Sequence, residues 1–70
     1  MRVRLDDDGH GDDFVGFMQR CRCIVVDQGD GVYEIFLAHD LPKRLARAEL
    51  RAYLSIWARV NHGANVRLLD

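Results

Sequence analysis

The sequence predicts a small α+β domain in which an antiparallel sheet surrounds a central β-hairpin and one long C-terminal helix lies on one face. Two stretches rich in Val, Ile, Phe and Tyr, Cys21–Gln28 and Val32–His39, flank the tripeptide Gly29-Asp30-Gly31. A third stretch, Lys43–Asn61, contains neither proline nor glycine and has the length of a helix. The chain has 70 residues, which leaves room for a single domain.

The N-terminal segment predicts a strand, a loop and a short helix. Arginine alternates with apolar residues over Met1–Leu5, which is typical of a strand. The acidic tract Asp6–Asp13 holds five aspartates and two glycines, so we expect a loop. A helical apolar spacing follows, formed by Phe14, Phe17, Met18 and Cys21. It predicts a helix over Asp13–Arg20 with Asp12 or Asp13 capping its first turn, or else a strand that starts at Phe14.

The tripeptide Gly29-Asp30-Gly31 predicts a tight hairpin turn, because glycine readily adopts the positive φ that such turns require. A three-residue loop would place Gly31 in the left-handed conformation and pair Gln28 with Val32. A loop of two or four residues would shift the register by one and exchange which side chains lie opposite each other. The sequence leaves both registers open.

The C-terminal half predicts a long helix and a final strand. Pro42 suits the first position of the helix, and Asp40 is close enough to serve the free amides. His62-Gly63 is a plausible stop, and Ala64–Asp70 reads as a last short strand. The resulting order is the ferredoxin-like βαββαβ order, or ββαβ if the first helix is absent. Element order alone carries no function.

The long helix has two chemically different arcs at about 100° per residue. The apolar arc consists of Leu45, Leu50, Ala52, Tyr53, Ile56, Trp57 and Val60. The opposite arc carries the arginine stripe, which we define as Arg44, Arg47, Arg51 and Arg59. Glu49 falls inside the apolar arc. Because an unpaired buried charge is costly, we expect Glu49 to have a structural role, with Arg22 as a candidate partner.

Both faces of the central hairpin carry apolar side chains in either register. With the three-residue loop, one face takes Cys21, Cys23, Val25, Tyr33, Ile35 and Leu37, and the other takes Ile24, Val26, Phe36 and Ala38 with Arg22 and Glu34. Helices on one side protect only that side, so an apolar patch large enough to be an interface stays exposed. We expect a second copy of the chain to cover it, or a different protein. The alternative is that Phe14–Met18 folds across this face and completes a monomer.

Residues that could carry chemistry give only weak signals. Cys21 and Cys23 could bind zinc with His39 or His62, but zinc sites usually separate paired cysteines by two to four residues. The sequence has no phosphate-binding loop and no nucleophile elbow, and the acidic tract lacks the glutamate that a calcium loop requires. We therefore expect no metal, no cofactor and no enzymatic activity.

Charge is unevenly distributed along the chain. The first 40 residues carry nine acidic and four basic side chains, and the last 30 carry two acidic and six basic ones. The arginine stripe could bind the phosphates of a nucleic acid, because guanidinium groups match phosphate geometry. The net charge of −1 argues against this, since most nucleic-acid-binding domains are strongly basic. Nucleic-acid binding is therefore the alternative prediction.

These patterns predict a small non-enzymatic protein–protein interaction or regulatory module that forms a homodimer and presents an apolar sheet face and a charged helix face to a partner. The expected partner-binding residues are Ile24, Val26, Phe36, Arg44, Arg47, Arg51 and Arg59. The module could be an adaptor, or an inhibitor whose acidic tract imitates phosphates. The chain has no run of about 18 apolar residues and no secretory signal, so we expect a cytoplasmic location without a membrane partner.

Overall fold

The protein folds into a four-stranded antiparallel sheet with two α-helices packed on one face. The computed structural model describes residues 1–6, 8–38, 40–62 and 64–69. Its elements are β1 (Arg2–Leu5), a 3-10 turn (Asp8–His10), α1 (Gly11–Arg20), β2 (Cys23–Gly29), β3 (Val32–Leu37), α2 (Lys43–Val60) and β4 (Val66–Leu68). The strand order is β2-β3-β1-β4. The predicted α+β class and βαββαβ order are confirmed, and the topology is that of split βαβ, ferredoxin-like domains.

Four residues that belong to predicted features lie outside the described ranges. They are Asp7 in the acidic tract, His39 at the end of the predicted third strand, Gly63 in the predicted helix stop and Asp70 in the predicted last strand. His39 was also a candidate zinc ligand. The last strand is shorter than predicted, since β4 covers three residues rather than Ala64–Asp70. The third strand likewise ends at Leu37.

The prediction of a loop over the acidic tract was wrong in its second half. A 3-10 turn forms at Asp8–His10, and α1 begins at Gly11, two residues earlier than predicted. The predicted cap was also wrong, because Asp12 and Asp13 lie inside the first turn of α1 and the N-cap residue, His10, makes no side-chain capping hydrogen bond. The carboxylate of Asp13 instead accepts a hydrogen bond of 3.1 Å from the indole Nε1 of Trp57. Asp13 therefore makes a tertiary contact with α2 instead of a local cap for α1.

The helix α1 ends in a turn that delays the start of β2. The amide of Cys21 donates to the carbonyls of Phe17 and Met18, so this residue still belongs to the helix end. Arg22 then adopts a left-handed conformation with φ of 65°. The strand therefore starts at Cys23 rather than Cys21, and the two cysteines do not share a strand face as predicted. The alternative prediction, a strand that starts at Phe14, is also wrong, since this residue lies in α1.

The hairpin combines features of both predicted registers. Its turn is a two-residue loop in which Asp30 and Gly31 have φ of 56° and 78°, the pattern of a type I′ turn, and Gly29 pairs with Val32. A bulge between Asp27 and Gly29 then shifts the register by one residue. The remaining pairs are those expected for a three-residue loop. The body of the hairpin therefore has the predicted face assignment even though the loop itself is shorter.

The core lies between the inner face of the sheet and the two helices. It consists of Val3, Leu5, Cys23, Tyr33 and Ile35 from the strands and Phe14, Met18, Leu50, Leu54 and Trp57 from the helices. Phe14 is central among the aromatic rings, with centroid distances of 5.2 Å to Trp57 and 5.4 Å to Tyr33. Such tilted and edge-on arrangements are the favourable ones for aromatic pairs.

The start of α2 differs from the prediction by one residue. Pro42 has φ of −53° and ψ of 146°, so it occupies the N-cap position and precedes the first helical residue, Lys43. No side chain of the described residues bonds to the free amides at this end, so Asp40 does not serve them. The helix ends at Val60, and Asn61 closes it by donating both its amide and its side-chain Nδ2 to the Trp57 carbonyl.

The face of α2 that packs on the sheet was predicted only in part. Leu50 and Trp57 are buried as expected, and Leu54, absent from the predicted arc, is buried between them. Four residues assigned to the apolar arc are exposed, namely Leu45, Ala52, Ile56 and Val60. Apolar residues occupy more than half of the helix circumference, so helical periodicity does not decide which part faces the core. The contact between Trp57 and Phe14 orients the helix.

Candidate functional site

The outer face of the sheet carries an apolar patch at its β2–β3 side. Ile24 and Phe36 lie opposite each other in the two strands, and Val26 is next on the same face of β2. Their exposed fractions are 63%, 49% and 45% in that order. Both helices pack on the inner face, so no other element of the described chain covers these three side chains. We call Ile24, Val26 and Phe36 the outer patch.

The predicted alternative, in which Phe14–Met18 folds across this face, is wrong. Phe14 and Met18 are fully buried within α1 on the inner side of the sheet. They pack there because their spacing of four residues places both on the helix face that meets the core. The outer patch is therefore left without an intramolecular cover from this segment.

The other half of the outer face is basic. Arg2 and Arg4 alternate with the buried Val3 along β1, and Arg67 of β4 lies opposite Arg4. Glu34 separates these arginines from the outer patch, and its carboxylate accepts a hydrogen bond of 2.6 Å from the N-terminal ammonium group. These arginines are absent from the binding residues that the sequence predicts. The alternation over Met1–Leu5 was the signal that could have placed them on this face.

The arginine stripe lies along the solvent side of α2. Arg44, Arg51 and Arg59 are exposed, whereas Arg47 is half-buried. At the N-terminal end of the helix, Lys43, Arg44 and Arg47 line a shallow open depression with a volume of about 420 Å³. No carboxylate of the described residues lies within ion-pair distance of these five cations. Their charge is therefore available to an external anion.

A second exposed apolar surface runs along α2 beside the arginine stripe. Leu45 and Ile56 are each 49% exposed, and Val60 is 72% exposed. These residues were predicted to belong to the same apolar arc as the buried Leu50 and Trp57. The helix thus presents basic and apolar side chains to solvent next to each other.

A cluster of polar groups lies where the end of α1 meets α2. It contains Cys21, Cys23, Glu49 and Tyr53. Burial, followed by the charges of Cys21 and Glu49, raises the pKa of the Cys23 thiol to about 11. Burial also raises the pKa of the Cys21 thiol. Burial and the charge of Glu49 raise the pKa of the Tyr53 hydroxyl.

These pKa shifts are opposite to those of a reactive thiol. A nucleophilic cysteine needs a lowered pKa, because the thiolate is the attacking species. Glu49 itself is half-buried, and its Oε2 atom is inaccessible to solvent. The predicted mate, Arg22, is exposed in the turn before β2. Among the described residues no group of three histidine, cysteine or acidic side chains is arranged to hold a metal ion.

Comparisons with protein-family models, curated proteins and solved structures found no match for this chain. Neither described helix combines the length and the apolar character needed to cross a membrane.

Proposed function

We propose that this protein is a small non-enzymatic protein-binding module that acts as a homodimer and presents the apolar outer face of its sheet to a protein partner. The observation that supports the proposal is the outer patch, in which Ile24, Val26 and Phe36 are all about half exposed or more. Adjacent apolar side chains on a sheet face are typical of an interaction surface, because covering them removes apolar area from water.

The chemistry of the polar cluster supports a binding role over a catalytic one. Cys21 and Cys23 both have raised pKa values, so neither thiol is activated as a nucleophile at neutral pH. We also propose a cytoplasmic location. The two free cysteines are consistent with a reducing compartment.

Affinity capture from the host with matched variants tests the partner-binding part of this proposal. We compare the wild-type protein with Phe36→Gln and with the control Val60→Gln, because both substitutions remove an exposed apolar side chain. Phe36→Gln should lose the captured protein, whereas Val60→Gln should retain it. Equal capture by the two variants would contradict a role for the outer patch.

A second candidate function is the binding of nucleic acid through the arginine stripe. It is favoured by the absence of carboxylate partners for these arginines in the described chain and by the depression lined by Lys43, Arg44 and Arg47. Fluorescence anisotropy with mixed-sequence RNA and DNA tests it. Binding should weaken steeply with salt and on double replacement of Arg51 and Arg59 by Gln, because phosphate contacts release counterions. Binding that is absent at low salt would exclude this function.

A further inference from the structure

The two edges of the sheet differ in how they are protected against pairing with another strand. The edge strand β4 is only three residues long and carries Arg67 at its centre. The other edge strand, β2, has seven residues, and its stretch Cys23–Val26 contains no charge and no proline. Folded proteins usually protect edges with short strands, charges, prolines or bulges. In β2 such protection is confined to its C-terminal end, at Asp27 and the bulge that follows.

The backbone groups of β2 are directed towards this open edge. The amide of Ile35 donates to the Met1 carbonyl, and that of Leu5 donates to the Gly31 carbonyl, so the odd-numbered residues of β3 face β1. Backbone groups alternate in direction along a strand, so the even-numbered residues of β3 face β2. Their partners are Ile24 and Val26. The backbone amides and carbonyls of Cys23 and Val25 therefore point away from the sheet.

An antiparallel pair of two β2 strands is self-complementary about a two-fold axis at Val25. Val25 then lies beside Val25 of the second copy, and Ile24 lies opposite Val26 of the second copy. Asp27, the only charged side chain of β2, lies opposite Cys23, so no like charges oppose each other. A two-fold pairing of this kind requires one surface to match itself, and β2 meets that condition.

We infer that a second copy of this chain docks on the β2 edge and that the two sheets join into one antiparallel sheet of eight strands. The two outer patches are brought side by side, so six apolar side chains form one continuous surface. The basic strands β1 and β4 of each copy lie at the far ends, which keeps their arginines apart. This inference rests on the proposed homodimer and names the contact that forms it.

Two double variants test the register of this pairing. In the opposite-charge variant, Ile24→Glu and Val26→Lys place unlike charges opposite each other across the two copies. In the same-charge variant, Ile24→Lys and Val26→Lys place like charges there. Both variants remove the same two exposed side chains, and in both the lysine at position 26 faces Glu34 within the chain. Circular dichroism and thermal melting confirm that each variant is folded.

Sedimentation velocity at low ionic strength over a wide concentration range measures the dimers. We expect the wild-type protein and the opposite-charge variant to form dimers of the 8.1 kDa chain. The same-charge variant should dimerise roughly tenfold more weakly than the opposite-charge variant, because two cross-strand charge pairs change from attractive to repulsive. A wild-type dimer with two equally associating variants would overturn the β2 pairing and leave the homodimer intact. A wild-type protein that stays monomeric throughout would overturn both.

Discussion

Trp57 connects α2 to the start of α1 through two ring contacts and one hydrogen bond. Its ring lies edge-on to Phe14 and to His10, and its Nε1 atom donates to the carboxylate of Asp13. Its side chain is 1% exposed, so this polar atom needs a partner inside the protein. The aspartate that provides it lies in the first turn of α1, where a negative charge also suits the helix dipole.

Replacing Asp13 by alanine should destabilise the fold by about 1–3 kcal/mol, because the indole N–H would be buried without an acceptor. Asp12→Ala is the matched control, since it removes an exposed acid from the same turn and should cost less than about 1 kcal/mol. Urea denaturation, monitored by the fluorescence of the single tryptophan, measures the free energy of unfolding of both variants. Equal destabilisation by the two variants would contradict a structural role for this hydrogen bond.

The thiol of Cys23 should make the stability depend on pH in the alkaline range. The unfolded chain loses this proton near the ordinary pKa of 9.0, whereas the folded chain keeps it until about 11. Above pH 9 the unfolded state therefore binds fewer protons, and the free energy of unfolding falls as pH rises towards 11. Urea denaturation across this interval should show a steeper fall for the wild-type protein than for Cys23→Ala. Parallel curves would contradict burial of this thiol.

The hairpin turn shows how a single element can hold features of two predicted registers. A positive φ at Gly31 was predicted from the glycine alone, and the structure confirms it. The bulge at Asp27 and Gly29 was not predicted, because it depends on how β3 pairs with both neighbouring strands. The bulge also determines the composition of the outer patch, since it keeps Ile24 and Val26 on the outer face.

Gly31→Ala should be more destabilising than Gly29→Ala. Both positions have positive φ, so both variants carry a conformational cost of about 1–2 kcal/mol. A Cβ atom at Gly31 would also lie 2.5 Å from the carbonyl oxygen of Leu5, whereas one at Gly29 would meet open space. We expect a further loss of about 1–3 kcal/mol at Gly31, measured by urea denaturation. Equal losses at the two glycines would show that β1 does not approach this turn closely.

Two leucines test the orientation of α2, namely Leu54, which the predicted apolar arc omits, and Leu45, which it includes. Leu54→Ala should cost about 2–5 kcal/mol, since Leu54 is 6% exposed in the core. Leu45→Ala should change stability by less than about 0.5 kcal/mol, since this leucine is half exposed and alanine favours helices. Thermal unfolding of the two variants distinguishes them. A larger effect at Leu45 would mean that the helix packs through the predicted arc.

At the scale of the whole molecule, the fold class and element order followed from local patterns, because turns, alternation and an uninterrupted helix are encoded by neighbouring residues. The face of α2 that packs inward did not follow, because it is decided by ring contacts between Trp57 and Phe14 that are distant in sequence. The candidate site was predicted in part. The exposure of Ile24, Val26 and Phe36 agrees with the three-residue-loop register, whereas the arginines of β1 and β4 join this face only through strand order.

The surface of the molecule is divided into apolar and basic regions. The outer face is apolar at β2–β3 and basic at β1–β4, and α2 repeats the combination with its arginine stripe beside Leu45, Ile56 and Val60. We propose that the protein associates with itself through the β2 side of its sheet, next to the outer patch, rather than through the apolar surface of α2.

The concentration dependence of backbone amide chemical shifts, recorded by two-dimensional NMR on the ¹⁵N-labelled protein, tests this claim most directly. As the concentration rises, we predict progressive shifts of the amides along β2, at Ile24, Val25 and Val26, and at Phe36 beside them. The amides of Leu45, Ile56 and Val60 should remain unchanged and serve as internal controls. Shifts confined to α2, or spectra that do not depend on concentration, would contradict it.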